Sequence, residues 1–145
     1  MSIEVKKNSQ TYLDSNLFRP DDEAKVSEIV KENFKRNLPL EIIGSNSKKF
    51  MGYNLQTAKT LDISNLSGIV DYVPEELYIK AKAGTPLSLI EETLDKNNQQ
   101  LAFEPIDFGF IHSGKSNKGT IGGYVSCNLA GSRRFKTGSV RDHML

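Results

Sequence analysis

The sequence predicts an α+β domain, because two amphipathic helix patterns alternate with short strand patterns along a chain of ordinary globular composition. The chain has 145 residues, of which 37% are hydrophobic and 26% are charged. A chain of this size has room for one substantial core. After residue 108 the helix and strand patterns give way to glycine-rich segments at 109–123 and 131–138.

The stretch RPDDEAKVSEIVKENFKRNLP, residues 19–39, predicts the first helix. Acidic residues fill its first turn and basic residues its last, which complements the helix dipole. Pro39 ends it, because proline cannot continue a helix. Residues 1–18 are expected to be a polar extension that anchors through Leu13, Leu17 and Phe18. The predicted apolar stripe of the helix consists of Val26, Ile29, Val30 and Phe34.

Five short runs predict strands. LEII, residues 40–43, has the continuous apolar character of a buried strand, and TLDIS and GIVDYV read as two further strands. QLAFEP, residues 100–105, predicts a last, modest strand. The run LYIKAKAG alternates most cleanly, so one face should be formed by Leu77, Ile79, Ala81 and Ala83.

A second helix follows this strand. Thr85 is expected to be its N-cap and Pro86 its first helical residue, which is where these residue types are favoured. Its predicted buried face consists of Leu87, Ile90 and Leu94.

Composition narrows the function classes. A net charge of +1 gives no overall attraction to nucleic acid, although the last 33 residues hold six Lys or Arg against one Asp. A single cysteine, Cys127, precludes an internal disulfide and leaves too few thiols for a zinc or iron–sulfur site. Neither a signal peptide nor a membrane-spanning segment is visible, so we expect a cytoplasmic location with no metal and no nucleic acid.

GFIHSGKS, residues 109–116, fits the pattern G-x-x-x-x-G-K-S of a P-loop. A P-loop needs a buried strand before its first glycine and a helix at its lysine. Here Pro105 interrupts any strand ahead of the motif, and the three glycines in the stretch GTIGG oppose a helix after it. A P-loop nucleotidase acting through Gly109–Ser116 is therefore kept only as a remote alternative.

Two other glycine-bearing loops are better candidates for anion binding. In IIGSNSKKF a strand pattern ends at Gly44 and small polar residues follow, so a ligand could approach the backbone closely. In GTIGGYVSCNLAG the glycines precede an apolar segment that could start a helix, whose free N–H groups would face a phosphate. The alternatives are an ordinary surface turn for the first loop and tight helix packing for the second.

An ordered set of six segments resembles the FAD-linked oxidases of the vanillyl-alcohol oxidase type, and within them the FAD-binding subunits of bacterial glycolate-oxidase-like complexes. The resemblance covers residues 19–145. Its segments are RPDDEAKVSEIV, IIGSNSKKFMG, LDISNLSGIVDYVPEELYIKAKAGTPLSLIEETL, LAFEP, GTIGGYVSCNLAGSRRF and GSVRDHML.

The resemblance implies a fold of two subdomains that hold an extended FAD. Residues 19–103 would form the first and residues 104–145 the start of the second, which we expect to be truncated before its sheet is complete. The pyrophosphate loop would be Gly44, Ser45, Asn46, Ser47 and Lys48, where Ser45 and Asn46 depart from the family's preference for glycine. The remaining cofactor contacts would come from Pro105, Gly119, Thr120, Ile121, Gly122, Gly123, Gly131, Gly138, Ser139 and Val140.

The resemblance also implies a function. FAD would be bound non-covalently, because the first loop has Lys48 and Lys49 where some relatives carry a histidine that bonds FAD. The parent protein would oxidise a 2-hydroxy acid, together with a larger flavoprotein subunit and an iron–sulfur subunit. Through that complex it could sit at the inner face of the membrane.

For the chain itself we expect neither a substrate pocket nor catalytic residues, and we assign no role to His112 or His143. An unfinished sheet favours self-association. The main alternative is a non-enzymatic assembly piece that keeps the fold without binding cofactor.

Overall fold

The computed structural model describes residues 15–57 and 59–145, so the expected anchor Leu13 lies outside the described residues. Contacts divide the chain into two units. The first contains Met1–Ile43 and Tyr53–Leu66, and the second contains Gly44–Gly52 and Ser67–Leu145.

The first unit is built on a three-stranded parallel sheet. Its strands are β1 (Leu17–Phe18), β2 (Leu40–Ile43) and β3 (Lys59–Asp62), in the order β1-β3-β2. The strand predictions for LEII and TLDIS are thus confirmed, but the prediction that LEII is buried is wrong. The side chain of Ile42 is 64% exposed.

The first predicted helix is confirmed as α1 (Glu23–Lys35), whose N-cap Asp22 accepts a hydrogen bond from the Lys25 N–H at 2.7 Å. Its buried stripe is narrower than predicted, since Phe34 is 83% exposed and Val30 42%. Ile29 joins Phe18 and Leu61 in the core, and Val26 packs beside them.

The buried face of α1 includes Asn33 and not the predicted Phe34. Asn33 is buried, and its side-chain Nδ2 donates a hydrogen bond to the carbonyl oxygen of Ile29 at 2.8 Å. The Nδ2 group of Asn33 thus has a backbone partner within the helix, whereas its buried Oδ1 has no hydrogen-bond partner among the described residues.

The end of β3 carries a buried carboxylate. Asp62 is 6% exposed, and its oxygens accept hydrogen bonds from Arg19 Nε at 3.0 Å and from the Ser64 N–H at 2.9 Å. Burial raises the pKa of Asp62, but the bonds from Ser64 and Arg19 outweigh it and hold the pKa below its ordinary value. Asp62 is therefore charged and paired in the folded chain.

Replacement of Asp62 by asparagine is expected to lower the free energy of unfolding near pH 7 by about 1–2 kcal/mol, since a charge-assisted bond is lost. A lowered folded pKa adds stability above the unfolded pKa of about 3.9, and that stability is lost as the pH falls through the folded pKa. The difference between wild type and Asp62→Asn should therefore shrink in urea melts near pH 3. Exposed Asp71 gives the matched control, Asp71→Asn, and equal melts for all three proteins near pH 7 would contradict the prediction.

The second unit begins with an antiparallel pair, β4 (Ile69–Val73) and β5 (Tyr78–Ala81), joined by a 3₁₀ turn at Pro74–Glu76. GIVDYV and LYIKAKAG are thus confirmed as strands. The predicted buried face is wrong at Ala83, which is exposed and lies beyond the end of β5. It is also wrong at Leu77, which is 82% exposed and has a φ of 55°. It ends the 3₁₀ turn in the left-handed conformation, so the strand starts one residue later.

The second predicted helix is confirmed as α2 (Leu87–Asp95), with the predicted buried face. Its predicted cap is wrong: Pro86 is the N-cap, and Thr85 does not cap the helix. The buried Thr85 hydroxyl instead donates to the carbonyl oxygen of Lys82 at 2.6 Å and accepts from the Gly68 N–H at 3.0 Å. The Thr85 hydroxyl therefore bonds to backbone groups of two loops and not to the N-terminus of α2.

The rest of the second unit is short elements and loops. The helices are α3 (Phe108–Ser113), α4 (Ile121–Cys127) and α5 (Arg134–Thr137), followed by a 3₁₀ turn at Val140–His143. The strand predicted over residues 100–105 is wrong, because no described residue pairs with it; Phe103 is instead buried as a loop side chain. None of the helices within residues 15–57 and 59–145 has the length and apolar content needed to span a bilayer.

Candidate functional site

The two candidate anion loops lie against each other within the second unit. A Cβ atom added at Gly44 would lie 2.7 Å from Thr120 Oγ1, and one added at Gly119 would lie 2.7 Å from Ser47 Oγ. Residues 44–48 and 119–123 therefore form one surface, which we call the glycine cradle. Side chains at these glycines would close it.

Helix α4 begins at the glycine cradle. Thr120 is its N-cap, and Oγ1 accepts a hydrogen bond from the Gly123 N–H at 3.3 Å. The predicted helix is present, but it starts within GTIGG and not after it, so Gly122 and Gly123 belong to its first turn. Gly119 precedes it with a φ of 91°, a conformation that glycine adopts without strain.

Gly122 fixes the first turn of α4 against the chain that leads into α2. Its N–H donates to the carbonyl oxygen of Ala83 at 2.9 Å, and an added Cβ would lie 2.7 Å from that oxygen. The next bond runs from the Ile121 N–H to the carbonyl oxygen of Thr85 at 2.9 Å. Gly122 is thus a packing position, which agrees with the steric alternative for this glycine.

The departures from glycine in the first loop fit its backbone. Asn46 has a φ of 58°, and asparagine is among the residue types that best tolerate this left-handed conformation. Its carbonyl oxygen accepts a hydrogen bond from the Lys49 N–H at 3.3 Å, which closes the turn. Ser45 is exposed, with its hydroxyl oxygen 3.6 Å from the Cβ position of Gly119.

Lys48 brings a charge into the glycine cradle. Its Nζ lies 3.4 Å and 3.8 Å from the Cβ positions of Gly119 and Gly123, and 4.5 Å from the ring centre of Tyr124. The side chain is half-buried, and burial lowers the pKa of Lys48. Within the part of the chain that the structure describes, no carboxylate forms an ion pair with it. An anion bound in the cradle would supply the missing partner.

Sequence reasoning missed the aromatic residues that support Lys48. Tyr124 is fully buried, and its hydroxyl donates to the carbonyl oxygen of Ile106. Phe108 presents a second ring, with its centre 5.5 Å from Lys48 Nζ. Tyr124 lies one helical turn after the cap Thr120, and this spacing was the available signal for a side chain beneath the cradle.

The other expected cofactor residues have different partners. A Cβ at Gly131 would lie 2.9 Å from Glu104 Oε2, beside Pro105 in the chain. Gly138 has a φ of 75°, and the N–H and hydroxyl of Ser139 both donate to Asp142 Oδ2, at 2.7 Å and 2.9 Å. Val140 is buried. The hydrogen bonds of these residues run to neighbours outside the glycine cradle.

The basic residues of the last third are partly neutralised. Lys118 Nζ donates to both Glu91 oxygens, at 2.8 Å and 2.7 Å, and Arg133 Nε donates to Glu104 at 2.6 Å. These two cations are thus paired with carboxylates of the same chain. Lys48 differs from them in having no acidic partner among the described residues.

The segment 109–116 does not form a P-loop. Helix α3 occupies Phe108–Ser113 and ends at Gly114, which has a φ of 70°, so Lys115 follows a helix instead of starting one. No strand precedes Gly109, since residues 101–107 form no regular element. The structure therefore contradicts the nucleotidase alternative.

Comparison with known proteins identifies the family. The profile described as "FAD binding domain" matches residues 15–145, and the chain belongs to this family. It is 45% identical over 118 residues to glycolate oxidase subunit GlcE of Escherichia coli (strain K12). That alignment covers 81% of this chain and 31% of the relative, so the chain spans about a third of the length of the curated protein that it matches.

Solved structures confirm the fold. Alkyldihydroxyacetonephosphate synthase, in two crystal forms, matches with TM-scores of 0.64 and 0.65. Each match covers 87% of this chain and about a quarter of the synthase, at 18% and 17% identity. At this identity the match shows the fold alone, which is the FAD-binding fold of the vanillyl-alcohol oxidase type.

Proposed function

We propose that this chain is the FAD-binding portion of a glycolate-oxidase-like flavoprotein that oxidises a 2-hydroxy acid. The observation that carries the proposal is the glycine cradle with Lys48 at its floor, half-buried and without a carboxylate partner among the described residues. The negative charge of an FAD pyrophosphate would pair with the ammonium group of Lys48, which has no carboxylate partner among the described residues. The 45% identity to a glycolate oxidase subunit supports the choice of substrate class.

The residues present fit the pyrophosphate of FAD. The predicted free N–H groups are not available, because those of Gly119 and Gly123 donate to Asn117 Oδ1 and Thr120 Oγ1. The glycines instead leave Ser47 Oγ and Lys48 Nζ uncovered beside them, and these side chains can donate to phosphate oxygens. The hydroxyls of Ser45 and Ser47 lie beside Gly119 and can donate hydrogen bonds. Lys48 supplies a charge-assisted bond, which is stronger than a neutral one. The backbone of the cradle is shaped by Gly44, Asn46, Thr120 and Ile121. Gly122 holds the first turn of α4 against Ala83.

The remaining cofactor assignments follow from the family likeness. Pro105 and Gly131 would lie toward the flavin, as would Gly138, Ser139 and Val140. Because Ser139 already donates both of its protons to Asp142, it would act by holding the backbone in place. We also propose residues 19–103 and 104–145 as the parts of the chain that belong to the two subdomains of the parent protein.

Bound FAD supplies the hydride acceptor in this class of reaction. The chain's own task is to bind and orient it, with Lys48 holding a proton at Nζ that balances the phosphate charge. The cofactor is dissociable, because no histidine occurs in residues 44–48. Since the chain spans about a third of its relative, we propose that the substrate pocket and the catalysis belong to other parts of the protein.

The assembly is proposed on the same basis. The matched relative is a subunit, so the parent protein would act with other subunits. We propose a larger flavoprotein subunit and an iron–sulfur subunit as partners, in the cytoplasm or at the inner face of the membrane through the complex. The exposed edge strand β2 would favour self-association of the isolated chain.

The test is a titration of the purified chain with FAD, followed by flavin fluorescence, with riboflavin as the control ligand. Riboflavin carries the same ring without phosphate, so we expect saturable binding of FAD and at least tenfold weaker binding of riboflavin. Gly123→Ala should weaken FAD binding, because its methyl group would point toward Lys48 Nζ. Equal binding of FAD and riboflavin would contradict the pyrophosphate assignment, and a folded chain that binds neither would favour a non-enzymatic assembly piece.

A further inference from the structure

Helix α3 carries two large apolar side chains that are mostly uncovered. Phe110 is 62% exposed and Ile111 is 67% exposed, and they are neighbours in the chain. A cavity of about 600 Å³ lies between residues 46–50 and 109–117, and neither of the two side chains lines it. We call Phe110 and Ile111 the apolar tip, and we treat it separately from the residues that border the glycine cradle.

The segment that carries the apolar tip is basic. Residues 108–118 contain His112, Lys115 and Lys118 and neither Asp nor Glu. Lys118 is paired with Glu91, whereas no carboxylate pairs with the exposed Lys115 among the described residues. Exposed apolar side chains beside an unpaired basic group complement the charge and the layering of an anionic lipid surface.

The backbone of the apolar tip has its hydrogen-bond partners inside the loop. The Phe110 N–H donates to Asp107 Oδ1 at 2.9 Å, and the Ile111 N–H donates to the Asp107 carbonyl oxygen at 3.2 Å. The carbonyl oxygen of Phe110 accepts from the Gly114 N–H at 2.9 Å. Backbone groups that approach hydrocarbon must be bonded internally, because lipid chains offer no partner. These groups meet that condition without rearrangement.

The loop that presents the apolar tip is closed at its base. Asp107 accepts hydrogen bonds from the Ser116 hydroxyl at 2.6 Å and from the Asn117 N–H at 3.0 Å. The Ser116 bond is the largest of the influences that lower the pKa of Asp107. The Gly109 N–H donates to the carbonyl oxygen of Asn117 at 3.3 Å. The one nearby carboxylate in the chain is therefore surrounded by donors of its own loop, and the loop is preorganised.

The size of the apolar tip favours a lipid surface over a protein partner. Large side chains have about 150–250 Å² of surface each, so the two residues present roughly 200–300 Å² at their observed exposure. A stable protein interface buries about 800 Å² on each partner. Reversible attachment to a membrane surface needs less, because apolar insertion and the attraction of basic groups act together.

We propose that the apolar tip inserts into the headgroup region of a membrane, with Lys115 against the anionic lipid headgroups. This contact goes beyond the proposed function, in which the chain would reach the membrane only through its complex. It does not depend on FAD binding, because Phe110, Ile111 and Lys115 lie outside residues 44–48 and 119–123.

The test is co-sedimentation of the whole 145-residue chain with vesicles of phosphatidylglycerol mixed into phosphatidylcholine. Phe110→Ser should weaken binding about tenfold or more, because the burial of a large apolar side chain is lost. Lys115→Ala should weaken it about fivefold. The matched controls are Phe34→Ser and Lys96→Ala, which change an exposed residue of the same type elsewhere and should bind as wild type does. Circular dichroism checks the fold of each protein.

Binding should also fall with vesicles of phosphatidylcholine alone and with added salt, since the attraction of Lys115 is electrostatic. The proposal is overturned if the wild-type chain does not bind the anionic vesicles, or if Phe110→Ser binds them as wild type does. Sedimentation equilibrium without lipid tests the protein alternative. A dimer that Phe110→Ser converts to a monomer would assign the tip to a second copy of the chain and reject the membrane contact.

Titration of the same variants with FAD keeps this test separate from that of the proposed function. Phe110→Ser and Lys115→Ala should bind FAD as wild type does while they lose vesicle binding. A chain that binds anionic vesicles through the apolar tip but does not bind FAD would retain the membrane contact and reject the proposed flavoprotein function. Loss of FAD binding and vesicle binding together in Phe110→Ser would reject an independent role for the tip.

Discussion

Replacement of Gly122 by alanine is expected to lower the free energy of unfolding by about 2–3 kcal/mol, as overpacking in a tight contact does. The added Cβ would lie 2.7 Å from the carbonyl oxygen of Ala83 and 2.9 Å from its Cβ. Both atoms belong to the backbone or are fixed to it, so no flexible side chain can move aside. The first turn of α4 would have to shift and lose the bond from Gly122 N–H to Ala83.

Gly123→Ala is the matched control, because it makes the same change one residue later in the same helix turn. Its Cβ would meet Thr120 Oγ1 at 3.4 Å and Lys48 Nζ at 3.8 Å, which are ordinary contacts. Alanine favours a helix over glycine by up to about 1 kcal/mol, so this variant should be as stable as wild type or more stable. Urea denaturation followed by circular dichroism measures both. Equal loss of stability in the two variants would refute the packing role of Gly122.

Replacement of Lys48 by methionine is expected to weaken FAD binding about 10- to 100-fold, which is the range of a charge-assisted hydrogen bond. Methionine retains an unbranched apolar side chain over the rings of Tyr124 and Phe108 and removes only the charge. Stability should be unchanged or higher, because the ammonium group is desolvated without an acidic partner among the described residues. The substitution is thus expected to weaken FAD binding without lowering stability.

The pH dependence separates a charge effect from a packing effect at Lys48. Burial lowers its pKa in the folded chain, so it loses its proton at a lower pH than an ordinary lysine, whose pKa is about 10.4. FAD affinity should therefore fall as the pH rises through this lowered pKa. Stability of the free chain should rise over the interval up to the unfolded pKa, because there the unfolded state binds more protons.

Two controls complete this experiment. Lys48→Arg keeps the charge at all accessible pH values and should remove the fall in affinity, and Lys96→Met should behave as wild type. FAD affinity would be measured by flavin fluorescence between about pH 6 and 10. If Lys48→Met bound FAD as tightly as wild type near pH 7, the proposed role of the Lys48 charge in FAD binding would be wrong.

Local sequence patterns correctly predicted the helices α1 and α2. The acidic start and basic end of α1, and the spacing of Leu87, Ile90 and Leu94 in α2, depend on residues within one or two turns of each other. Such signals act between near neighbours, so they survive in the folded chain. The resemblance to FAD-linked oxidases likewise depended on the order of segments, and the family match over residues 15–145 confirms it.

Burial could not be determined in this way. Phe34 lies outside the core formed by Ile29, Phe18 and Leu61, and Ile42 is exposed although it belongs to a continuous apolar run. Thr85 fits the pattern of an N-cap, but its hydroxyl finds Lys82 and Gly68 instead. Which partner a side chain takes is decided by competition among groups that folding brings together.

The sequence by itself determined which residues are small, polar or charged in each of the two glycine-bearing loops, and that a short helix occurs near glycines 119–123. Only the tertiary structure decided that Gly44 meets Thr120, that Lys48 lies over Tyr124 without an acidic partner among the described residues, and that residues 46–50 and 109–117 line one cavity. These facts join positions about 60–75 residues apart. No local propensity acts over that distance, and such contacts exist only once the intervening chain has packed.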